Sequence, residues 1–278
     1  MRGTSSGSYR RRASGFTLIE LLIVVAVIAL LIGILLPALR GARESGWTTI
    51  CGSNLRQIGT ASQLYADTNR SRLWEREQWY KIETAPGSGV YQPGHLFDYC
   101  ENVDKVAECP KNKRRGANFN ETPVPGSARF FNRAIDFDYT LFSRMHGLRM
   151  DTDVRMATFK NPAAGSPPNL LTPLNAATML TPLNGLMIFV EEDTKFNNEQ
   201  FADGRWGNVD QITSRHGDRG NVHFLDNHVE VFKFNHGPRP DVDEPKDFNC
   251  NDVYVLGKRD SWVRAEAVNE QYGRMNNP

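Results

Sequence analysis

The histidines of this chain are the side chains whose clustering first suggests chemistry. Four of the six lie within about twenty residues of one another, beside Asp218 and Asp226. Imidazole and carboxylate groups are common transition-metal ligands. However, no pair has i,i+4 spacing on a predicted helix, and strand alternation sends His223 and Asp226 to different environments. The sequence therefore predicts no transition-metal site, and instead predicts a hydrogen bond from His216 to backbone or to a nearby carboxylate. The four histidines are His216, His223, His228 and His236.

Two acidic stretches supply the oxygen ligands that calcium prefers. One runs from Asp203 to Asp210, and the other begins at Asp241-Val242-Asp243-Glu244. Neither has the Asp-x-Asp-x-Asp-Gly loop with a closing Glu that forms an EF-hand. We therefore expect solvated loops and no cofactor, and keep calcium only as an alternative. Its candidate ligands are Asp203, Asp210, Asp241 and Asp243. We likewise expect Glu191-Glu192-Asp193 to be the polar exit of a strand.

Motifs of the common catalytic sites are missing from the sequence. It contains no Gly-x-Ser-x-Gly, no glycine-rich phosphate loop before a helix and no His-Glu-x-x-His. Ser143 and His146 are close in sequence, which does not make a catalytic triad. We therefore predict that the protein is not an enzyme.

The charge of the chain argues against nucleic acid as a partner. The 33 Lys and Arg nearly balance the 32 Asp and Glu, for a net charge of +1. Residues 1–15 hold four arginines and no acid, so a chain without them carries −3. A mildly acidic surface attracts phosphate backbones poorly.

The four cysteines are even in number, which allows two disulfides in three different pairings. Cys109-Pro110 has no CxxC partner and no histidine at zinc-finger spacing, so the spacing does not indicate zinc. On the outward side of a membrane disulfides persist. We expect two structural disulfides, or one disulfide and two free thiols, among Cys51, Cys100, Cys109 and Cys250.

The N-terminus has the composition of a membrane segment. Residues 16–36 are almost continuously apolar and supply about the 20 residues that a helix needs to cross a bilayer. Three arginines at 10–12 hold the preceding end in the cytoplasm, so the rest of the chain faces outward. The run is too long for a signal peptide, which leaves an ordinary anchor as the simplest alternative. Glu20 argues against an ordinary anchor, because an acid within such a segment costs about 2.5–3.5 kcal/mol.

Gly15-Phe16-Thr17-Leu18-Ile19-Glu20, between the basic leader and the apolar run, resembles the processing site of a type IV prepilin. The resemblance implies that a prepilin peptidase cuts after Gly15 and that Phe16 is then methylated. It also implies that Glu20 guides filament assembly by pairing with the amino group of a neighbouring subunit. An uncleaved anchor is the alternative.

Three further landmarks resemble pilin-like proteins that carry a His-x9-Asp-Gly motif. The first is the segment from Cys51 to Gly59, and the second is Cys109-Pro110. The third is His216, followed after nine residues by Asp226-Asn227. Asn in place of Gly is a mild departure, because Asn also tolerates positive φ in a tight turn. We expect His216, Asp226 and Asn227 to be structural.

Hydrophobic periodicity organises the rest of the chain. Apolar residues at spacings of three and four predict that the membrane helix continues as an amphipathic helix to Asp67-Thr68-Asn69. Its predicted stripe comprises Leu39, Arg43, Trp47, Ile50 or Cys51, Leu55, Ile58, Ser62 and Tyr65. Strands are predicted around Ile135–Leu141, Leu186–Val190 and Val253–Leu256, and a surface helix at Ser261–Tyr272.

A hairpin is predicted around a two-residue loop at Asp226-Asn227. In that register Phe224 lies opposite Val229 and Val222 opposite Val231, on a face toward the core. His223 lies opposite Glu230 on the other face. The proline-rich residues 161–185 are expected to form an exposed excursion, since proline is excluded from sheet centres.

Together these features predict an α+β, pilin-like fold in which a long N-terminal helix packs on a mainly antiparallel sheet. The predicted divisions are a leader at 1–15, a transmembrane helix at 16–36, an amphipathic helix at 37–68 and a globular domain at 69–278. The expected function is that of a filament subunit in a type IV pilus or type II secretion pseudopilus, anchored in the inner membrane.

The expected partners are prepilin peptidase, copies of the chain, other pilin-like subunits and an assembly platform. One alternative is a minor pilin that binds surfaces through exposed aromatics at Trp74, Trp79, Tyr80 and Trp206. Another is a membrane-anchored periplasmic enzyme.

Overall fold

A computed structural model describes most of the chain and divides it into two compact units, Met1–Glu44 and Ser45–Pro278. The helices are α1 (Leu18–Thr68), α2 (Leu96–Tyr99) and α3 (Val103–Val106). The described residues are 16–85, 88, 91–112, 129–130, 133–134, 137–151, 154–159, 180–193, 204–207, 210–233, 250, 253–256 and 262–264. The strands are β1 (Lys81–Glu83), β2 (Tyr91–Pro93), β3 (Arg129–Phe130), β4 (Arg133–Ala134), β5 (Tyr139–Phe142), β6 (Arg155–Phe159), β7 (Leu180–Pro182), β8 (Met187–Glu191), β9 (Arg205–Trp206), β10 (Arg219–Phe224), β11 (Val229–Lys233), β12 (Val253–Leu256) and β13 (Trp262–Arg264).

In the first unit, the helix exposes its apolar side chains. Large hydrophobic residues from Phe16 to Leu39 are accessible, and none of the most apolar stretch is buried. Pro37 lies inside α1, which continues through it. A soluble protein would not leave a face of this size open to water. By length and composition, the segment can cross a membrane.

The part of α1 in the second unit buries one stripe against the core. Cys51, Leu55 and Ile58 are fully buried, whereas Ile50 and Leu39 are exposed. The stripe predicted from the sequence therefore begins at Cys51 rather than at Leu39. The helix ends at Thr68, within the Asp67-Thr68-Asn69 segment where the sequence places its end.

The main sheet has five strands in the order β11-β10-β8-β5-β9. Its pairs are antiparallel except β5 with β9, which is parallel. Strand β8 is central and buried throughout, as its continuous apolar run predicts. Together with the long helix, this sheet confirms the predicted α+β architecture.

The hairpin of β10 and β11 differs from its prediction by one residue of register. His223 pairs with Val229 and Val222 with Glu230, so Val231 does not face the core and is exposed. The loop has three residues rather than two, because Asn227 takes a left-handed conformation with φ of 67° after the Phe224–Asn227 turn. A type I turn followed by such a residue is a common three-residue hairpin loop.

A second sheet has four strands in the order β13-β12-β6-β7. Strand β12 forms at Val253–Leu256, as predicted, but the helix predicted from Ser261 is wrong at Trp262–Arg264, which is strand β13. Pairing with β12 outweighs the local helix signals there. Residues 180–182 of the predicted proline-rich excursion form β7, and residues 161–179 lie outside the described part. Pro182 is tolerated because β7 is an edge strand.

The large aromatic residues form the centre of the core. Trp74, Trp79, Tyr80 and Trp206 are all fully buried, so the prediction that they are exposed is wrong. Trp79 makes ring contacts with Tyr80, Phe137 and Phe189 at centroid distances of 5.1, 5.1 and 5.4 Å. Aromatic rings supply the largest buried areas available to a core, which explains their position. The surface-binding alternative loses its sequence support.

Candidate functional site

Four metal-ligand side chains converge at one buried point of the second unit. Cys51 lies on α1, Cys109 follows α3, Glu191 ends β8, and His216 lies in the turn before β10. Their ligand atoms all lie within 4.8 Å of one another, and all four residues are buried. We call this group the four-ligand cluster. It joins the long helix to the central sheet.

The closest contacts inside the four-ligand cluster are made by Cys109 Sγ and His216 Nε2. The sulfur atoms of Cys51 and Cys109 are 3.1 Å apart and are not bonded. His216 Nε2 lies 3.6 Å from Cys109 Sγ and 2.8 Å from Glu191 Oε1. A single ring nitrogen thus faces both a sulfur and a carboxylate oxygen.

The charges of the cluster depend on one another. The hydrogen bond from the Cys51 thiol lowers the pKa of Cys109 to about 7, and the same contact raises the pKa of Cys51. Burial alone would lower the pKa of His216, but the Cys109 sulfur and the Glu191 carboxylate raise it to about 9. Burial alone would raise the pKa of Glu191, but His216 and Arg215 lower it to about 2.

A second group of polar residues supports the cluster. Asn221 Nδ2 donates to Glu191 Oε2 at 2.8 Å, and Arg215 Nη2 lies 3.8 Å from Glu191 Oε1. The backbone N–H of Cys109 donates to Asp138 Oδ2 at 2.5 Å. Asn54 of α1 donates to the carbonyl oxygens of the segment before Cys109. The Glu191 carboxylate and the backbone at Cys109 are therefore held in place by neighbouring elements.

The cluster is unsuited to act on a substrate. A cysteine beside a histidine and a carboxylate has the composition of a nucleophilic site. However, Cys109, His216 and Glu191 are all buried, so no substrate atom can reach the sulfur. The arrangement can bind an ion or cross-link the fold, but it offers no open position.

The sequence predicts three members of the four-ligand cluster as motif residues but gives no functional role to the fourth, Glu191. Cys51, Cys109 and His216 each belong to a different landmark of the His-x9-Asp-Gly resemblance, and the structure brings the three together. Glu191 was expected in a polar strand exit, but it is fully buried. The signal that could have identified it is its position at the end of the most apolar strand, where an acid needs a buried partner.

Asn227 of the motif fastens the hairpin to α1. Asn227 Nδ2 donates to Thr60 Oγ1 at 3.1 Å, and His223 Nε2 donates to Asn227 Oδ1 at 2.9 Å. Glycine at 227 would lose both contacts, so this Asn does more than tolerate positive φ. Asp226 is exposed and bonds His228 in the loop.

His223 should make the stability of the second unit depend on pH. Burial lowers its pKa from 6.5 to about 4, and its Nδ1 has no hydrogen-bond partner among the residues that the structure describes. A folded-state pKa below the unfolded value means that stability is fully present above pH 6.5 and is lost as the pH falls toward 4. As the pH falls from about 7.5 to about 4.5, we expect protonation of His223 to lower the free energy of unfolding by about 2–3 kcal/mol.

Denaturant titrations of the wild type and His223→Gln at several pH values measure that dependence. The variant should show a smaller loss of unfolding free energy on acidification, whatever its stability at neutral pH. Equal losses in both proteins would contradict the assignment to His223.

The structure describes all four cysteines but only one of the four calcium candidates. Asp210 Oδ2 accepts a hydrogen bond from the backbone N–H of Gly207 at 2.7 Å, and Asp203, Asp241 and Asp243 lie outside the described residues. Among the cysteines, Cys100 is half-buried and Cys250 is buried. His236 also lies outside the described part.

At the N-terminus, Thr17 and Glu20 form a reciprocal cap on α1. Glu20 Oε2 accepts hydrogen bonds from the Thr17 N–H at 2.9 Å and from its hydroxyl at 2.7 Å. The Glu20 N–H donates to Thr17 Oγ1 at 3.3 Å, which completes a capping box. Phe16 is exposed, and Gly15 lies outside the described residues.

Comparison with known proteins confirms the resemblance at this end of the chain. Residues 10–36 match the prokaryotic N-terminal methylation motif. The chain is 43% identical over 61 residues to the type IV wide pilus major component PilA4 of Thermus thermophilus. That match covers 22% of this chain and 47% of the relative, so the chain spans about half the relative's length. No solved structure matches the chain. The chain therefore carries a prokaryotic N-terminal methylation motif and is similar, over part of its length, to a type IV pilin.

Proposed function

We propose that this protein is a filament subunit of a type IV pilus or a type II secretion pseudopilus. The observation that carries the proposal is the methylation motif at residues 10–36. From Leu18 onward, its residues lie on a helix whose apolar side chains are exposed. Such a helix needs either lipid or neighbouring helices around it. A subunit that moves from membrane to filament meets both in turn.

Processing by prepilin peptidase between Gly15 and Phe16 is the first step of the proposed pathway. The cut removes the basic leader and creates a free α-amino group on Phe16. The mature subunit then waits in the inner membrane with its second unit on the outer side, in contact with an assembly platform. Copies of the chain and other pilin-like subunits are its partners in the filament.

Glu20 has two candidate roles, which differ in what they require of the side chain. Within one chain its carboxylate caps α1 through Thr17. In the filament it pairs with the positive Phe16 amino group of a neighbouring subunit. A charged carboxylate is costly in an apolar environment, and an opposite charge offsets that cost. The cap needs only a hydrogen-bond acceptor, whereas the pairing needs a negative charge.

We expect Glu20→Gln to be cleaved and retained in the membrane but to be absent from filaments. Gln keeps an acceptor for the Thr17 N–H and removes only the charge. The matched control is Thr17→Val, which loses the capping hydroxyl but keeps the carboxylate, and which should still assemble. Immunoblots of sheared filaments and of membrane fractions measure both variants. Normal filament yield from Glu20→Gln, or equal failure of both variants, would contradict the charge-pairing role.

Intact-mass measurement of the native protein tests the processing step separately. The mature chain should begin at a methylated Phe16. A bulky residue at position 15 should leave the leader attached. A native chain that begins at Met1, in cells that contain the peptidase, would instead indicate an uncleaved anchor.

A further inference from the structure

We propose that the four-ligand cluster binds one structural zinc ion, which joins α1 to the central sheet. The ligands are the sulfur atoms of Cys51 and Cys109, a carboxylate oxygen of Glu191 and Nε2 of His216. This inference departs from the sequence-based prediction that the His216 motif is structural without a metal. It does not depend on the proposed filament function.

The types and number of ligands are those of a closed zinc site. Zinc in proteins is held by cysteine, histidine and carboxylate ligands, and its structural sites are tetrahedral with four protein ligands. All four residues here are buried, which leaves no open position for water or substrate. The site therefore has the composition of a structural centre rather than a catalytic one.

The distances between the ligand atoms are close to those around a single ion. With zinc–ligand bonds of about 2.0–2.3 Å, the ligand atoms of a tetrahedron lie about 3.3–3.8 Å apart. The contacts of His216 Nε2 are 2.8 and 3.6 Å, and the two sulfur atoms are 3.1 Å apart. All the ligand atoms lie within 4.8 Å of one another, so shifts of about 1 Å convert this arrangement into a zinc tetrahedron.

A disulfide between Cys51 and Cys109 is the competing explanation. A disulfide uses only the two sulfur atoms and gives no reason for a carboxylate and an imidazole to converge on the same point. A cation at the centre attracts all four groups at once. The outer contacts also suit a metal site, because ligand carboxylates are usually hydrogen-bonded themselves, as Glu191 is by Asn221.

Protons and charges balance when the ion binds. The two thiols release their protons to solvent, and His216 coordinates as neutral imidazole through Nε2. Two thiolates and the Glu191 carboxylate give three negative charges against the two positive charges of zinc. The Arg215 guanidinium, 3.8 Å from Glu191 Oε1, offsets the remainder.

Metal analysis of the full chain, purified from membranes in detergent without chelator, tests the proposal. We expect close to one equivalent of zinc per chain. Cys51→Ser and His216→Gln should each lose most of it. The matched controls Cys100→Ser and His228→Gln change residues outside the cluster and should retain it. Glu20→Gln should also retain it, so failure of filament assembly is distinguishable from failure of the metal site.

Measurements on the wild type keep the test valid if a ligand variant does not fold. Cobalt exchanged into the site should give the intense visible bands of tetrahedral coordination and a thiolate charge-transfer band. Cys51 and Cys109 should resist alkylation until a chelator is added. A Cys51–Cys109 disulfide in the native protein would overturn the proposal. So would a reduced protein that takes up no zinc on reconstitution, or one whose zinc content is unchanged in both ligand variants.

Discussion

Replacing Asp138 with asparagine is expected to destabilise the second unit by about 3–5 kcal/mol, because it breaks a buried ion pair. Asp138 is fully buried, and its Oδ1 accepts hydrogen bonds from Arg215 Nη1 and Asn112 Nδ2, both at 2.6 Å. Its Oδ2 accepts from the Cys109 N–H at 2.5 Å. Asparagine removes the charge that compensates Arg215 and turns an amide donor toward groups that are themselves donors.

Thermal unfolding followed by tryptophan fluorescence measures this effect, because Trp74, Trp79 and Trp206 are buried in the second unit. A loss of this size corresponds to a lowering of Tm on the order of 10 °C. The matched control is Asp151→Asn. Asp151 pairs with Arg149, but both side chains are substantially exposed, so solvent screens the pair and no measurable shift is expected. Similar shifts in the two variants would contradict the assignment of Asp138 to a buried pair.

The features that the sequence predicted well are those with a local or periodic cause. The apolar run after Arg12 predicts the exposed part of α1, and the periodic stripe predicts its end at Thr68. The continuous apolar run before Glu191 predicts a central strand, because only a strand covered on both faces needs no polar residues. These properties are determined by neighbouring residues, so one sequence is sufficient to read them.

The features that the sequence predicted poorly depend on tertiary pairing. Trp262–Arg264 follows good helix-start signals, yet β12 offers it an edge to pair with. The hairpin loop ends at Asn227, whose side chain donates to Thr60, 167 positions away in sequence. Neither partner is visible in the local pattern.

For the candidate site, the sequence shows the types of ligand residues but not that they meet at one point. The sequence presents cysteines and histidines as ligand types, but their spacings of tens of residues match no local metal motif. Convergence of Cys51, Cys109 and His216 requires α1, the segment after α3 and the turn before β10 to meet at one point. Glu191 completes the cluster only because β8 is central, so its final residue remains inside the protein.

The crossing of α1 and the hairpin depends on the absence of a side chain at Gly59. A Cβ built at this position would lie 2.0 Å from His223 Nε2 and 2.5 Å from Asn227 Oδ1. Those two atoms form the hydrogen bond that fixes the hairpin loop, and Asn227 also bonds Thr60, the next residue of the helix. Any side chain at 59 must therefore displace the contacts that hold the hairpin to α1.

We expect Gly59→Ala to destabilise the second unit by about 1–3 kcal/mol, the usual cost of overpacking, despite the better helix propensity of alanine. Gly52→Ala is the matched control, because a Cβ there meets Val229 Cγ1 at 3.7 Å and Asn221 Oδ1 at 3.8 Å, which are ordinary contacts. That substitution should be neutral or stabilising by up to about 1 kcal/mol. Fluorescence melts of both variants measure the difference. If Gly59→Ala unfolds at or above the wild-type temperature, the hairpin does not pack on α1 through His223 and Asn227.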